Sequence, residues 1–201
     1  MNKISIIIQA GGKSIRMGKN KALIPFLGEP LIQRVINRVK PIAGEMFIIA
    51  NQPDIYSFLG LPILPDLVID KGSLGGLFTA MKIARMPYVA SVACDMPFVN
   101  PILFEYELKL IEQYSFDVVI PKSTKGYEPF HAVYKKETCL PLIEHALESD
   151  DLRLVSWFSQ VNVKTLFDIE IRRFDSEDKS FININTQEDL SSAEKMTERD
   201  L

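Results

Sequence analysis

Short apolar runs alternate with helix-spaced apolar positions along this chain, and the alternation predicts its architecture. Residues 4–8 are an almost continuous apolar run of strand length. In residues 30–39, Leu31, Val35, Ile36 and Val39 recur at helical spacing and predict an amphipathic helix. Residues 46–50 predict a second strand, 54–59 a short helix after Pro53, and 74–86 a helix with apolar residues nearly all round. Residues 88–94 form the kind of run that a parallel sheet buries on both faces. A helix from Pro101 to about Gln113 and a strand at 117–120 follow.

The pattern then changes. Residues 130–134 read as a strand soon after 117–120, with the turn formers Ser123, Thr124, Lys125 and Gly126 between them, which predicts an antiparallel or hairpin-like interruption. Residues 137–147 and 151–158 read as helices, 161–174 as one or two strands, and 181–184 as a short strand. A last helix starts at Thr186, with Glu188 and Asp189 in its first turn, where carboxylates suit the macrodipole. The sum is a three-layer, Rossmann-like α/β fold with a mostly parallel sheet and one antiparallel element. Ligands of such sheets sit beyond the carboxyl ends of the strands, where the loops after Ile8, Ala50 and Cys94 and the 181–184 segment would gather.

Composition narrows the function. At 201 residues and 47% hydrophobic content the chain is expected to form a single domain, residues 1–201, without repeats or low-complexity linkers. Gln9 and the following glycines end the first apolar run too early for a secretory signal, and no apolar stretch reaches membrane-spanning length. A net charge of −3 provides no footprint for nucleic acid or an anionic membrane. The two cysteines, Cys94 and Cys139, lie far apart and indicate neither a disulfide framework nor a zinc site, so a cytoplasmic protein is expected.

Four segments carry candidate chemistry. The first, IQAGGKSIRMGKNK from Ile8, contains GKS but is no P-loop, because the position five before Gly12 is Ile7 and not glycine. The dinucleotide pattern G-x-G-x-x-G fails as well. What remains is a strand, Ala10, Gly11 and Gly12, then Lys13, Arg16, Lys19 and Lys21 with no acid among them. Such a loop can present backbone N–H groups and cations to a small polyanion; a tight turn with solvated lysines explains the same letters. The second is VACDMPFVNP, in which Asp95 at a strand end is placed either to hold a hard cation such as Mg²⁺ or to cap a turn. Cys94 beside it reads as a small core residue.

The third segment is Asp66 with the glycine-rich 72–77 stretch, which fits a base or sugar contact and equally a helix-initiating turn. In the fourth, FININTQEDL, Asn183 and Asn185 alternate as on one face of a strand, while Asn185 or Thr186 can cap the next helix. His131 and His145 lack metal-ligand spacing and no G-x-S-x-G is present, which excludes metalloprotease and hydrolase readings. His131 reads as a structural or pocket-lining histidine.

Together these segments resemble one family. QAGGKSIRMGKNKAL is similar to the A-G-G-x-S-x-R-M-G-x-x-K-A-L signature of the molybdenum cofactor guanylyltransferases, and LGGL, CDMPF, PFHAVY and NINTQEDL follow in that family's order. The resemblance runs from Ile4 to about Leu190 and implies a nucleotide-diphospho-sugar transferase-like fold. It also implies transfer of GMP from Mg-GTP to molybdenum-molybdopterin, releasing pyrophosphate. Carried over by position, Gln9, Ala10, Gly11 and Gly12 would contact guanine and ribose. Arg16 and Lys21 would bind phosphates, Asn51 and Asp66 would touch the nucleotide, Asp95 would ligate Mg²⁺, and Asn183 and Asn185 would lie on the molybdopterin side. Catalytic roles would fall to Arg16, Lys21 and Asp95.

Two departures stand out: Gln9 where leucine is usual, and Ser73 in place of the proline of G-P-L-x-G. Rival readings are a cytidylyltransferase for the same cofactor and an enzyme activating a sugar phosphate or phospholactate. A third is a non-catalytic nucleotide-binding protein, against which Lys21 and Asp95 argue together. Docking on molybdoenzyme-maturation proteins is compatible with catalysis and has no signature in the sequence.

Overall fold

A computed structural model describes residues 3–10 and 20–198. The strands are β1 (Ile4–Gln9), β2 (Pro25–Phe26), β3 (Glu29–Pro30), β4 (Glu45–Ile49), β5 (Ile63–Leu64), β6 (Tyr88–Ala93), β7 (Val118–Ser123), β8 (Gly126–Tyr127), β9 (Val133–Lys135) and β10 (Val163–Leu166). The helices are α1 (Leu31–Val39), α2 (Gly72–Ile83), α3 (Pro101–Tyr114), α4 (Lys136–Glu148), α5 (Asp168–Ile171) and α6 (Gln187–Glu198). The main sheet runs β10-β7-β9-β6-β1-β4-β5, with β8 pairing β7 beside that path. Only β9 and β8 run against the common direction: β9 is antiparallel to both β6 and β7, and β8 closes a hairpin on β7. The antiparallel interruption predicted near residue 126 is therefore present as a strand inserted between two parallel ones.

Strand β1 occupies the middle, paired in parallel with β4 on one side and β6 on the other. Its side chains alternate between two cores. Ile4, Ile6 and Ile8 join the layer of α1 and α3, while Ile7 joins α2 and α4 on the opposite face. All four are buried, so truncating any one to alanine should cost about 2–5 kcal/mol. A third apolar cluster of Ile24, Phe26, Leu31, Phe98, Ile184 and Leu190 fastens α6 and the small β2–β3 hairpin to the loop after β6. Among the described residues no helix is long and apolar enough to cross a membrane.

Two sequence expectations fail and a third is met in part, each for local reasons. Residues 151–158 form turns followed by a short 3-10 segment, Phe158–Gln160, and not an α-helix. There the Asp151 carboxylate takes the Arg153 N–H and guanidinium, and its carbonyl takes the Ser156 hydroxyl, so polar groups compete with the helical ladder. Residues 161–174 hold one strand, β10, and then the short helix α5, whose Glu170 accepts the Phe167 N–H. Residues 181–184 are not a strand: a 3-10 turn, Lys179–Phe181, leads into extended chain with no ladder partner, because both sides of β6 are already occupied.

Candidate functional site

The carboxyl ends of β1, β4, β5 and β6 bring together the residues singled out after those strands. Main-chain hydrogen bonds carry the ladder past the strand ends: Ala10 N–H donates to Ile49 O at 2.9 Å and Cys94 N–H to Gln9 O at 3.1 Å. Gly11, Gly12 and Arg16 lie outside the described residues. The flanks of that stretch are held by a residue the sequence reading missed. The Tyr56 hydroxyl donates to Ala10 O at 3.1 Å and accepts from Asn20 Nδ2 at 2.8 Å. Asn20 Oδ1 in turn caps the turn carrying Lys21 by accepting the Ala22 N–H at 3.1 Å.

Lys21 and Asp95 form an ion pair, and the same ammonium donates to Asn185 Oδ1 at 2.6 Å. Both charged side chains are largely shielded, 13% and 15% exposed, and Asp95 Oδ1 is buried with no hydrogen-bond partner. Asn185 reaches this point because Ile184 N–H donates to Asp95 O at 3.0 Å while the Ile184 side chain is buried in the third cluster. Thr186 and Asp189 then cap α6 reciprocally. Asp189 Oδ2 accepts the Asn185 and Thr186 N–H groups at 2.9 and 2.8 Å, and Asp189 N–H donates to Thr186 Oγ1 at 3.1 Å. The Asn185 N–H bond, aided by Thr186 and the nearby Lys21 charge, holds the Asp189 carboxyl below the usual range.

Asn51 and Asp66 form a second cluster. Asn51 Oδ1 accepts the Asp66 N–H at 3.1 Å and its Nδ2 donates to Asp66 Oδ2 at 3.4 Å. Asp66 Oδ1 is buried without a partner, and burial raises the Asp66 pKa against the opposing pull of the Asn51 bond. Their strands, β4 and β5, lie on the far side of β1 from β6. At one strand spacing of about 4.8 Å per step, Asn51 and Asp95 stand roughly 10 Å apart across the rim.

Not every candidate joins these clusters. The Gln9 side chain turns toward α2: its Nε2 donates to the buried Ser91 Oγ at 2.6 Å, and a Cβ on Gly76 would stand 2.8 Å from Gln9 Cδ. The second glycine of LGGL thus makes room for the glutamine that replaces the usual leucine. Asn183 Nδ2 donates to the Phe181 carbonyl of its own segment at 3.4 Å, whereas Asn185 Oδ1 meets Lys21. His131 is fully buried and pairs with Glu107 at 3.3 Å, and burial pushes its pKa down to about 3, which excludes it as a base. Burial pushes the Cys94 and Cys139 thiols up to about 12, so neither is a nucleophile at neutral pH.

Residues 6–163 match the family model of the MobA-like NTP transferase domain. The chain belongs to the MobA-like NTP transferase family. Among relatives of this family, a protein named molybdenum cofactor guanylyltransferase from Desulfosudis oleivorans is 35% identical, with 96% of each chain covered. A probable molybdenum cofactor guanylyltransferase from Peptoclostridium acidaminophilum is 32% identical over 98% of this chain and 90% of its own. The solved structure of molybdopterin-guanine dinucleotide biosynthesis protein A from Archaeoglobus fulgidus superposes with a TM-score of 0.82 at 27% identity, covering 97% of this chain and 99% of that one. The 4-diphosphocytidyl-2C-methyl-D-erythritol synthase of Anaerococcus prevotii shares the fold, with a TM-score of 0.73 at 18% identity. This MobA-like transferase is therefore a nucleotidyltransferase of molybdenum cofactor biosynthesis.

Within a MobA-like transferase the donor set can be tested for a metal. Among the described residues no group of three His, Cys, Asp or Glu side chains could hold an ion. The open Oδ1 of Asp95, like that of Asp66, is of the kind that fits a hard cation such as Mg²⁺, which completes its shell with water and phosphate oxygens.

Proposed function

We propose that this MobA-like transferase moves GMP from Mg-GTP to the phosphate of molybdenum-molybdopterin, forming the guanine dinucleotide and releasing pyrophosphate. One observation carries the reading: Lys21, Asp95 and Asn185, 164 residues apart at their extremes, converge on one point at the sheet rim and leave a carboxylate oxygen open there. The names of the relatives favour guanine and the molybdopterin acceptor.

The chemistry needs positioning and charge neutralisation more than covalent participation. An oxygen of the acceptor phosphate attacks the α-phosphorus in line. A bond forms there as the bond to the bridging oxygen breaks, and its electron pair leaves with pyrophosphate. The monoester is already largely ionised at neutral pH, so no general base is required. Asp95 would hold Mg²⁺, which supplies neutralisation of phosphate charge when bound. Lys21 carries its charge on a flexible stem and can move from Asp95 to a phosphate oxygen of the leaving group. Asn185 offers its side-chain oxygen to that ammonium in either position. Asp66 Oδ1 is the acceptor for an N–H of the base or a ribose hydroxyl, with Asn51 steadying the carboxyl. Arg16, Gly11 and Gly12 keep their expected roles toward phosphates and guanosine.

The test is incubation of the purified protein with Mg²⁺, each NTP in turn and molybdenum-molybdopterin, reading pyrophosphate. GTP-dependent release that requires molybdopterin is the expected result. A preference for CTP, or release only with a sugar phosphate, would overturn the assignment.

A further inference from the structure

Lys21 reaches Asp95 and Asn185 from a single 3-10 turn, Lys21–Leu23. So short a turn closes few hydrogen bonds of its own and cannot by itself fix a long, flexible side chain. Two attachments hold it. Ala22 is buried in the layer of α1 and α3, and Asn20 caps the turn by accepting the Ala22 N–H at 3.1 Å. The cap is only as firm as Asn20, whose Nδ2 donates to the Tyr56 hydroxyl at 2.8 Å.

Tyr56 supplies the fixed point. It lies on the 3-10 segment Pro53–Leu59, between β4 and β5. Its side chain is 2% exposed and packs in the same core as Ala22, whereas Phe58 of that segment is 58% exposed. A phenol so buried needs partners for its hydroxyl, and here it has two: it donates to Ala10 O, just past the end of β1, at 3.1 Å and accepts from Asn20. Burial raises the Tyr56 pKa against the opposing pull of the Asn20 bond, so the hydroxyl keeps its proton and remains a donor to Ala10. The turn of Lys21 is thereby tied to the central strand of the sheet. The segment that carries Tyr56 begins two residues after Asn51, which holds Asp66, so one connection serves both clusters of the rim.

Resting on the transferase reading above, we propose that Tyr56 is a positioning residue for Lys21: its hydroxyl, acting through Asn20, sets where the ammonium stands between Asp95, Asn185 and the phosphates. Deleting the hydroxyl loosens the turn and removes no charged group. Nucleotide binding is then kept, while the orientation that transfer requires is lost.

Tyr56→Phe keeps the ring and removes only the hydroxyl, and two readouts test it. The first needs no activity: limited acetylation of the ligand-free protein by an amine-reactive ester, read lysine by lysine by mass spectrometry. Lys21, 13% exposed in its ion pair, should react about threefold faster or more in the variant, while Lys82 on α2, 49% exposed, reacts as in the parent. The second is steady-state transfer. There kcat should fall about tenfold with the KM for Mg-GTP within about twofold, and Tyr56→Phe should add no further loss to Lys21→Met. Unchanged Lys21 reactivity or unchanged kcat overturns the proposal. So does a loss that adds in full to that of Lys21→Met, or a rise in Lys82 reactivity in step with Lys21, which would mark general loosening. The underlying reading fails separately, in the unmodified protein, if another nucleotide or acceptor is used. In that event the acetylation comparison still decides the role of Tyr56, and kcat is read with the substrates that are used.

Discussion

Two of the protein's carboxylate–nitrogen pairs, one at the sheet rim and one in the interior, differ in a way that separates the proposed reaction centre from a structural core. At the rim, Lys21 and Asp95 keep 13% and 15% of their side chains exposed. In the interior, His131 and Glu107 keep none. Each pair leaves one buried carboxylate oxygen without a partner, Asp95 Oδ1 and Glu107 Oε2. The neighbours differ. Lys21 sits on a flexible stem, with Asn185 as a second acceptor, so its contact with Asp95 can be exchanged for a ligand. His131 is clamped, stacked on Phe104 at 4.0 Å with the edge of Phe181 against it at 5.4 Å. Its Nε2 accepts the Asn100 N–H at 3.2 Å, which assigns the proton to Nδ1 and directs it to Glu107. An orphaned carboxylate oxygen therefore points to function only where what surrounds it can be traded.

The sharpest way to break this contrast is to remove the rim carboxylate. Asp95→Ala should lower kcat/KM for transfer by about 10³-fold while the circular dichroism spectrum and urea midpoint stay near those of the unmodified protein. Full activity in the variant would take Asp95 out of the metal and phosphate site. In the interior the balance reverses: His131→Ala should cost about 3 kcal/mol of stability in urea unfolding, yet leave kcat per folded molecule within a few fold. A large loss of kcat at intact stability would mean that His131 acts on the reaction.

A smaller effect belongs to Asn185. Asn185→Ala deletes one of the two acceptors of the Lys21 ammonium but keeps the Asp95 pair, so kcat/KM should fall only about tenfold. A double-mutant cycle with Lys21→Met should show coupling, because the asparagine has this role only while the ammonium is present. Additive losses would place Asn185 on the acceptor alone.

The legibility of these features in the sequence follows the range of the interactions behind them. Lys21 and Asp95 were visible because a cation-rich stretch after a strand and an aspartate ending a buried strand have local signatures. The parallel sheet and its antiparallel insertion were visible through period and turn chemistry. Tyr56 was not, because its partner Ala10 is 46 residues away and nothing near Tyr56 marks a hydroxyl that staples another loop. Gln9 was seen as a departure, but its explanation, room left by Gly76, needs the packing of α2 on β1 and β6. Asn183 and Asn185 were paired by an alternation that presupposes a ladder, and the 181–184 segment has none.

The smallest predicted effect sharpens the contrast most, because it concerns a carboxylate that need not be charged. Burial raises the Glu107 pKa well above the usual range, so the folded state favours its protonated form. A folded pKa above the unfolded one contributes stability that is complete below the unfolded value near 4.5 and is lost as pH rises through the folded value. His131 acts in the opposite sense. Its folded pKa of about 3 lies below the ordinary 6.5, chiefly through burial and against the opposing charge of Asp175, so its contribution is complete above 6.5 and is lost as pH falls toward 3. Glu107→Gln keeps an oxygen for the His131 Nδ1–H and replaces the protonated carboxyl with an amide of the same shape. At pH 4 its stability should lie within about 1 kcal/mol of the parent. As pH rises from about 4.5 toward the folded Glu107 pKa, the parent should weaken relative to the variant, while the acid limb set by His131 is shared. Urea unfolding of both proteins from pH 4 to 9 reads this directly. Parallel curves across the alkaline limb would mean that Glu107 is ionised in the core, and that the interior pair, like the one at the rim, is a pair of charges.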